Sequence, residues 1–302
     1  MTASTAGTPP AALRRGSSRS SLGLLLDAVY SGALFLGTFL GVMALGLLLW
    51  TIYDRGWDRL ATDPGAFLTN FVSRFPARAG IKAALYGSLW LMGLTAAFSF
   101  PVGVGAAIYL EEFAPKNRLT NFVEANISNL AGVPSVVFGI LGLGIFVRLM
   151  GMGPSLLAGG LTLAVMSLPV IIITCRESLR AVPDSIRLAA YALGATKWQA
   201  VRHHVLPAAM PGTLTGAILS LSRAVGETAP LLVIGAAVAI FKTPDDVSDP
   251  FSALPVLIFN WTGRPQPAFA EAAAAASIVL LAMLLAMNAV AIFLRNRYTT
   301  RW

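Results

Sequence analysis

Long apolar runs, separated by short polar segments, set the pattern of this chain. A helix needs about 20 apolar residues to cross the hydrocarbon core of a bilayer, and six runs reach that length. They cover residues 30–50, 83–110, 127–147, 156–175, 212–241 and 272–294. The pattern therefore predicts an all-α integral membrane protein with six transmembrane helices.

The polar segments divide the rest of the chain. Residues 1–21, rich in Ser, Thr, Ala, Pro and Arg, are predicted to form a disordered tail. Residues 22–78 would hold the first transmembrane helix and an external segment. Within that segment, apolar side chains from Phe67 to Phe75 recur at helical spacing and predict one short amphipathic helix on the outer membrane surface. The remaining predicted parts are a transmembrane domain at 79–297 with a long loop at 176–207, and a cytoplasmic tail at 298–302.

Composition and charge narrow the class of protein. Of the 302 residues, 56% are hydrophobic and 12% are charged, which is about half the charged fraction of a soluble domain. This excludes a soluble enzyme. The net charge of +8 does not indicate a nucleic-acid-binding protein, because the basic residues lie in short gaps between apolar runs rather than on one water-facing surface. The single cysteine, Cys175, and the adjacent His203 and His204 argue against a disulfide framework and a metal site.

The distribution of basic residues predicts the orientation in the membrane. If the N-terminus is cytoplasmic, 13 of the 22 Lys and Arg residues lie in cytoplasmic segments and 7 lie outside. Because cytoplasmic loops carry the excess of Lys and Arg, we expect both termini in the cytoplasm.

The loop at 176–207 has the sequence signals of two short helices. Asp184 and Ser185 can begin the first helix, and Gly194 can end it. The T-x-x-Q sequence that begins at Thr196 predicts a capping box for the second helix, and Pro207 is predicted to end that helix.

Two interpretations of this loop remain open. An amphipathic segment with five basic residues can lie on anionic membrane lipid. Alternatively, the small Ala189, Ala190 and Gly194 would let a cytoplasmic protein approach closely, with Trp198 as an anchor.

The fifth apolar run contains two charged residues, Arg223 and Glu227. A charge near the bilayer centre costs at least ~3 kcal/mol, so such residues are usually paired and functional. Four residues apart, the two share one helix face, and Gly226 and Pro230 allow a bend beside them. The pair is either a salt bridge that fixes packing or a polar station for a transported oxyanion. A carboxylate acceptor would favour an anion that still carries a proton, such as hydrogen phosphate, over sulfate.

The third run contains Gly132-Val133-Pro134-Ser135 and further glycines. Small residues permit close helix packing. Pro134 frees a backbone carbonyl and Ser135 offers a hydroxyl, so a hinge or pathway role is the alternative. The chain contains no Walker-type phosphate-binding loop.

Several stretches resemble a known family. Leu188-Ala189-Ala190-x-x-x-Gly194, followed by His204-Val205-Leu206-Pro207, resembles the EAA cytoplasmic loop of ABC importer permeases. The narrower resemblance is to the phosphate permease family PstA. It is carried by Tyr109-Leu110-Glu111-Glu112, by the stretch from Gly132 to Gly139, by the stretch from Ser222 to Leu231, and by Leu254-Pro255-Val256-Leu257-Ile258-Phe259-Asn260-Trp261.

This resemblance implies a type I ABC importer permease (MetI-like) fold in the plasma (inner) membrane of a prokaryote. It implies a PstC-like second permease, two PstB-like ATPase subunits docked on the loop, and a PstS-like phosphate-binding protein outside. The chain itself would be neither an enzyme nor a cofactor-binding protein, because the partner ATPase uses the ATP and Mg. The residues assigned by resemblance are Ala189, Ala190, Gly194 and Pro207 for ATPase coupling, and Arg223 and Glu227 for the translocation route.

Two departures from the family pattern limit what can be carried over, because Leu188 replaces the usual Glu and His204 replaces the usual Ile. The alternative functions are a permease for another oxyanion, molybdate or sulfate, and an ion-coupled secondary transporter. The latter usually has internal repeats with paired broken helices, and the sequence has no such repeat. A membrane enzyme is disfavoured, because no segment holds a nucleophile–base set or an acid pair.

Overall fold

The computed structural model describes residues 21–237 and 239–297, with side chains from Val29 onward except that of Leu294. The chain divides into two compact units, residues 1–51 and residues 52–302. The tail predicted at 1–21 lies outside the described residues except for Ser21, which begins the first helix, and so does the tail at 298–302.

The described part of the chain is built from α-helices joined by short loops. Three π-helical turns, Tyr109–Phe113, Leu143–Leu149 and Val201–Val205, extend α3, α5 and α8 respectively. The α-helices are α1 Ser21–Thr62, α2 Pro64–Thr69, α3 Lys82–Ile108, α4 Arg118–Ala131, α5 Ser135–Gly142, α6 Leu156–Arg180, α7 Asp184–Ala192, α8 Lys197–Ala200, α9 Leu206–Val225, α10 Ala229–Ile234, α11 Leu254–Thr262 and α12 Pro267–Arg297.

In the part of the chain that the structure describes, five helical segments are long and apolar enough to cross a membrane: Val29–Thr62, Lys82–Phe113, Leu156–Arg180, Lys197–Val225 and Pro267–Arg297. A sixth span is obtained if the bent pair α4 and α5 is counted as one. The all-helical prediction is confirmed, and the sixth span differs from the transmembrane helix predicted at 127–147 because it is bent.

A sharp break divides that predicted third span. α4 and the helical segment from Ser135 to Leu149 meet at 106° across Gly132-Val133-Pro134. Pro134 has no N–H to donate and its ring disfavours a helical conformation at Val133, so the first helix ends before it. Pro134 then becomes the N-cap residue of α5.

The predicted fifth span, 212–241, is wrong in its second half. α9 ends at Val225, and the Gly226 N–H donates to the Arg223 carbonyl at 3.1 Å. The short α10 follows and stops at Gly235, whose φ of +101° is in the left-handed region. Glycine leaves the helical conformation at little cost. The helix therefore stops at Gly235, although the apolar run continues beyond it.

Two further predictions of local structure are corrected. Pro207 does not end a helix. The π-turn before it lets Leu206 N–H reach the Val201 carbonyl, and the helix continues as α9. The external segment is also not one helix from Phe67 to Phe75. The helix α2 ends at Thr69, because the residues after it form hydrogen bonds with the segment before α3. There the Gly80 N–H donates to the Phe71 carbonyl at 3.1 Å.

The centre of the second unit is formed by α3, α6 and α9. Buried apolar residues join the end of α3, the second half of α6 and the start of α9 around Cys175, Leu179 and Val205. Gly216 of α9 approaches Thr174 of α6 so closely that a Cβ atom would overlap the threonine hydroxyl. Small residues therefore bring α6 and α9 into direct backbone proximity.

Candidate functional sites

Arg223 and Glu227 are in contact at the point where α9 breaks. Arg223 lies in the last turn of α9 and Glu227 in the non-helical residues before α10. Arg223 Nε donates to Glu227 Oε1 at 3.4 Å, and the side chains are 62% and 15% exposed respectively. Within the described residues, this is the only ion pair of Arg223. Because the contact is long and involves one nitrogen, the two terminal guanidinium nitrogens remain open to another oxygen.

Arg223 and Ser135 line the same small cavity. The cavity has room for about 20 Å³, which is on the order of one water molecule. Val133 and Ser135 contribute to it from the break between α4 and α5. The structure thus brings together two of the predicted pathway residues from separate breaks. Glu227 contacts Arg223 from outside the cavity lining, and Pro134 shapes the start of α5, where its carbonyl accepts a hydrogen bond from the Val137 N–H at 3.0 Å.

Two serines that the sequence analysis did not single out lie in the same cavity, Ser167 of α6 and Ser220 of α9. Both are buried, at 2% and 5% exposure. Ser220 Oγ donates to the Ser167 carbonyl at 3.3 Å, which holds the two helices together beside Arg223. The only sequence signal for them was a hydroxyl within a long apolar run.

The two broken segments are also packed against each other. A Cβ atom at Gly139 of α5 would lie 2.7 Å from Pro230 Cα of α10, so only glycine permits this contact. The close-packing interpretation of the glycines therefore holds at Gly139, whereas a Cβ atom at Gly144 would meet nothing within 4 Å.

The loop at 176–207 has the predicted helix signals. Gly194 has a φ of +81°, its N–H donates to the Tyr191 carbonyl at 2.9 Å, and Ala195 N–H donates to the Ala190 carbonyl at 3.1 Å. These two bonds form a Schellman motif at the end of α7. The capping box at Thr196 is confirmed, with both reciprocal bonds to Gln199 present. The start of α7 differs, because Pro183 is the N-cap and Asp184 already lies inside the helix.

The predicted coupling residues differ in exposure. Ala189, Gly194 and Trp198 are exposed, whereas Ala190 is 4% exposed. Pro207 is also exposed, but it lies in the first turn of α9 rather than between α7 and α8. An apolar groove of about 230 Å³ on this loop is lined by Ile186, Ala189, Ala190, Leu193 and His204.

A network of ion pairs that the sequence analysis missed attaches this loop to the ends of α3 and α6. Glu112 is buried, and Arg187 of α7 donates to it through Nη2 at 2.7 Å and through Nε at 3.2 Å. Arg187 also donates to the carbonyls of Leu179 at 2.9 Å and Val182 at 2.8 Å. Burial lowers the pKa of Arg187, but the hydrogen bond and charge of Glu112 outweigh it, so the pKa lies above its ordinary value and the residue stays charged.

Neighbouring charges extend this network. Glu111 accepts from Arg180 Nη2 at 2.8 Å and from Arg176 Nε at 3.3 Å. Arg176 also reaches Glu124 of α4 at 2.7 Å. The sequence signal for this network was the pair of acidic residues at the end of the second apolar run and the arginines at the end of the fourth. Using that signal requires knowing that these two ends lie on the same side of the membrane.

A sequence profile described as "Binding-protein-dependent transport system inner membrane component" matches residues 99–301. The chain belongs to this family. As a family member it is a multi-pass inner-membrane permease subunit, and the ATPase of such systems is a separate chain. The prediction of a non-enzymatic transport subunit is therefore confirmed.

Individual relatives extend over most of the chain. The phosphate transport system permease protein PstA 1 of Mycobacterium tuberculosis (strain CDC 1551 / Oshkosh) is 32% identical over 278 residues, 91% of this chain and 90% of that protein. The PstA protein of Yersinia pestis is 32% identical over 86% of this chain and 88% of its own length. The probable ABC transporter permease protein YqgI of Bacillus subtilis (strain 168) is 37% identical, and the chain spans 56% of it.

Solved structures agree in fold. One match is a chain of the bacterial alginate ABC transporter in complex with an alginate pentasaccharide-bound periplasmic protein. Its TM-score with the permease is 0.62 and the sequence identity is 16%, and the match covers 92% of this chain and 95% of that chain. The permease has a TM-score of 0.58 and 18% identity to a chain of the inward-facing MetNI methionine ABC transporter, with 72% and 95% covered. The predicted type I importer permease fold is confirmed.

Proposed function

We propose that this permease forms half of the translocation pathway of an ATP-driven importer of inorganic phosphate. The observation that carries the proposal is the guanidinium of Arg223, which lies at a helix break beside a serine-lined cavity with its terminal nitrogens open. The relatives named as phosphate transport permeases support the choice of substrate. A PstC-like permease would supply the other half.

Phosphate suits this arrangement of charges. A guanidinium fork matches the oxygens of a tetrahedral oxyanion. Glu227, held 3.4 Å from Arg223, would accept a hydrogen bond from an anion that still carries a proton and would repel one that does not. Sulfate and molybdate lack such a proton at neutral pH, so Glu227 supplies the discrimination. Ser135 would add a hydroxyl donor, and Pro134 would fix the helix break that presents it.

The cytoplasmic loop would receive the ATPase. The exposed surface formed by Ala189, Gly194 and Trp198 is available for docking of PstB-like subunits, and Ala190 shapes the groove beneath it. The helix continues through Pro207 into α9, so a displacement of the loop reaches Arg223 along one element. ATP and Mg would act in those subunits, a PstS-like protein would deliver phosphate outside, and both termini would be cytoplasmic.

The test is phosphate uptake by the purified complex, reconstituted in vesicles with ATP inside and phosphate-loaded binding protein outside. Arg223→Ala should lower uptake at least tenfold while the complex still assembles. Arg148→Ala is the matched control, because Arg148 is an exposed arginine outside the cavity. Glu227→Gln should narrow the preference for phosphate over sulfate. Normal uptake by Arg223→Ala would refute the pathway role.

A further inference from the structure

We propose that Ser167, together with Ser135 and the first turn of α5, forms a seat for one oxygen of the transported oxyanion. The inference deepens the proposed function and depends on it, since the ligand is the anion that passes Arg223.

The first observation is the unusual state of the Ser167 hydroxyl. It is buried, and among the described residues its Oγ has no hydrogen-bond partner. A buried hydroxyl without a partner is unfavourable, and native structures rarely retain one. The cavity that Ser167 lines is the one bordered by Arg223.

The other hydroxyl residues of α6 provide a comparison within the same helix. Each donates to the carbonyl four residues earlier: Thr162 to Ala158 at 2.8 Å, Thr174 to Val170 at 2.8 Å and Ser178 to Thr174 at 2.7 Å. This bond is the ordinary way for serine or threonine to be satisfied within a helix. Ser167 is the exception, because its Oγ has no partner on α6 or elsewhere among the described residues, and Ser167 lines the cavity.

The second observation is the helix terminus that meets the same cavity. α5 begins at Ser135, one of the cavity residues, and continues from Gly142 into the π-turn that ends at Leu149. The first N–H groups of a helix have no acceptor earlier in the helix, and they attract anions. In α5 the Val137 N–H already donates to the Pro134 carbonyl, so it is not counted in the seat. The cavity of about 20 Å³ has room for one oxygen atom rather than for a whole phosphate ion.

Arg223 supplies the charge for the rest of the anion. With the side chain 62% exposed, the remaining oxygens would lie on its open side, next to Glu227. The hydrogen bond from Ser220 to the Ser167 carbonyl holds Arg223, three residues further along α9, beside the seat. The ligand class is therefore a tetrahedral oxyanion with at least one unprotonated oxygen, which accepts hydrogen bonds from Ser167 and Ser135.

The experiment compares Ser167→Ala with Ser99→Ala in the reconstituted complex. Ser99 of α3 is a matched control, because its hydroxyl is also buried and without a partner among the described residues but lies outside this cavity. A hydrogen bond to a charged group is among the stronger ones, so Ser167→Ala should lower phosphate transported per ATP hydrolysed about tenfold. Ser99→Ala should transport as the parent does.

The outcomes separate this inference from the function on which it depends. If the parent carries phosphate and Ser167→Ala carries it equally well, the seat is refuted and the phosphate function stands. An equal loss in both variants would indicate a packing effect and would also refute the seat. If the parent carries molybdate or sulfate instead of phosphate, the proposed function fails, and a loss with Ser167→Ala on that anion supports the seat.

Discussion

The ion pair between Glu112 and Arg187 predicts that the loop at 176–207 is held in place by one carboxylate. Their side chains are 6% and 15% exposed, and their closest oxygen and nitrogen are 2.7 Å apart. Glu112→Gln keeps the shape of the side chain but removes its charge. Arg187 would then remain buried without a full counter-charge beside the carbonyls of Leu179 and Val182.

The expected magnitude follows from this burial. Breaking a buried ion pair costs about 3–5 kcal/mol, and the glutamine carbonyl still accepts one hydrogen bond, so we expect about 3 kcal/mol. Because 1.4 kcal/mol corresponds to a factor of ten, local opening of α7 should become about 100-fold more frequent. Hydrogen exchange of the backbone amides of α7, measured by mass spectrometry on the purified complex, reports this opening.

Asp184 provides the control, because it also contacts Arg187, at 3.2 Å, but is 90% exposed. An exposed pair contributes about 0–1 kcal/mol, so Asp184→Asn should accelerate exchange less than about fivefold. If Glu112→Gln leaves exchange in α7 within twofold of the parent, or if Asp184→Asn has an equal effect, the buried pair does not hold the loop.

Three further outcomes are expected. Gly139→Ala, whose Cβ would lie 2.7 Å from Pro230 Cα, should lower stability by about 1–3 kcal/mol. Gly144→Ala has open space and should raise stability slightly; the thermal unfolding midpoint of each variant in detergent compares them. Gly194→Ala places a side chain at φ +81°, which costs about 1–2 kcal/mol, so exchange at the end of α7 should rise about tenfold. The pKa of Asp249 lies below its ordinary value of 3.8, because its carboxylate accepts two backbone N–H bonds. This stabilisation is present above pH 3.8 and lost as the pH falls through the lower value, so protection of those amides should decrease there, but not in Asp249→Ala.

Local chemistry explains which features could be predicted from the sequence. The end of α7 at Gly194 and the capping box at Thr196 depend on residues within five positions of each other, so their signals are complete in a short stretch. The membrane spans follow from the length of the apolar runs, which is set by the bilayer thickness.

The breaks in the predicted third and fifth spans were not visible in hydropathy. A broken helix and a straight one bury similar apolar residues, so the apolar run continues through Gly132 and Gly226 without a change in character. Pro207 was misassigned because a proline, which usually interrupts a helix, does not interrupt this one. Proline is tolerated in the first turn of a helix, and a π-turn supplies the preceding bonds, so this proline does not interrupt the helix.

The two sites required the tertiary structure. Ser135 and Arg223 lie 88 positions apart in the sequence, and Arg187 is 75 residues from Glu112. No periodicity of a single helix relates such residues. The pair Arg223 and Glu227 was predictable because the two residues are only four positions apart, and their contact persists although α9 ends at Val225. The proposed role of Ser167 depends on a missing bond that only the packed structure reveals.

The helix α6 connects the two sites. Ser167 lies near its middle, and Leu179, whose carbonyl accepts from Arg187, lies twelve residues further on, or about 18 Å along the axis. The close approach of Gly216 to Thr174 leaves no space between α6 and α9 for independent sliding. A displacement of the loop at 176–207 that bends neither helix must therefore move both together. In that motion Ser167 and Arg223 keep their mutual position, and Ser135 stays with them, because a Cβ atom at Gly142 of α5 would overlap the Thr162 side chain of α6.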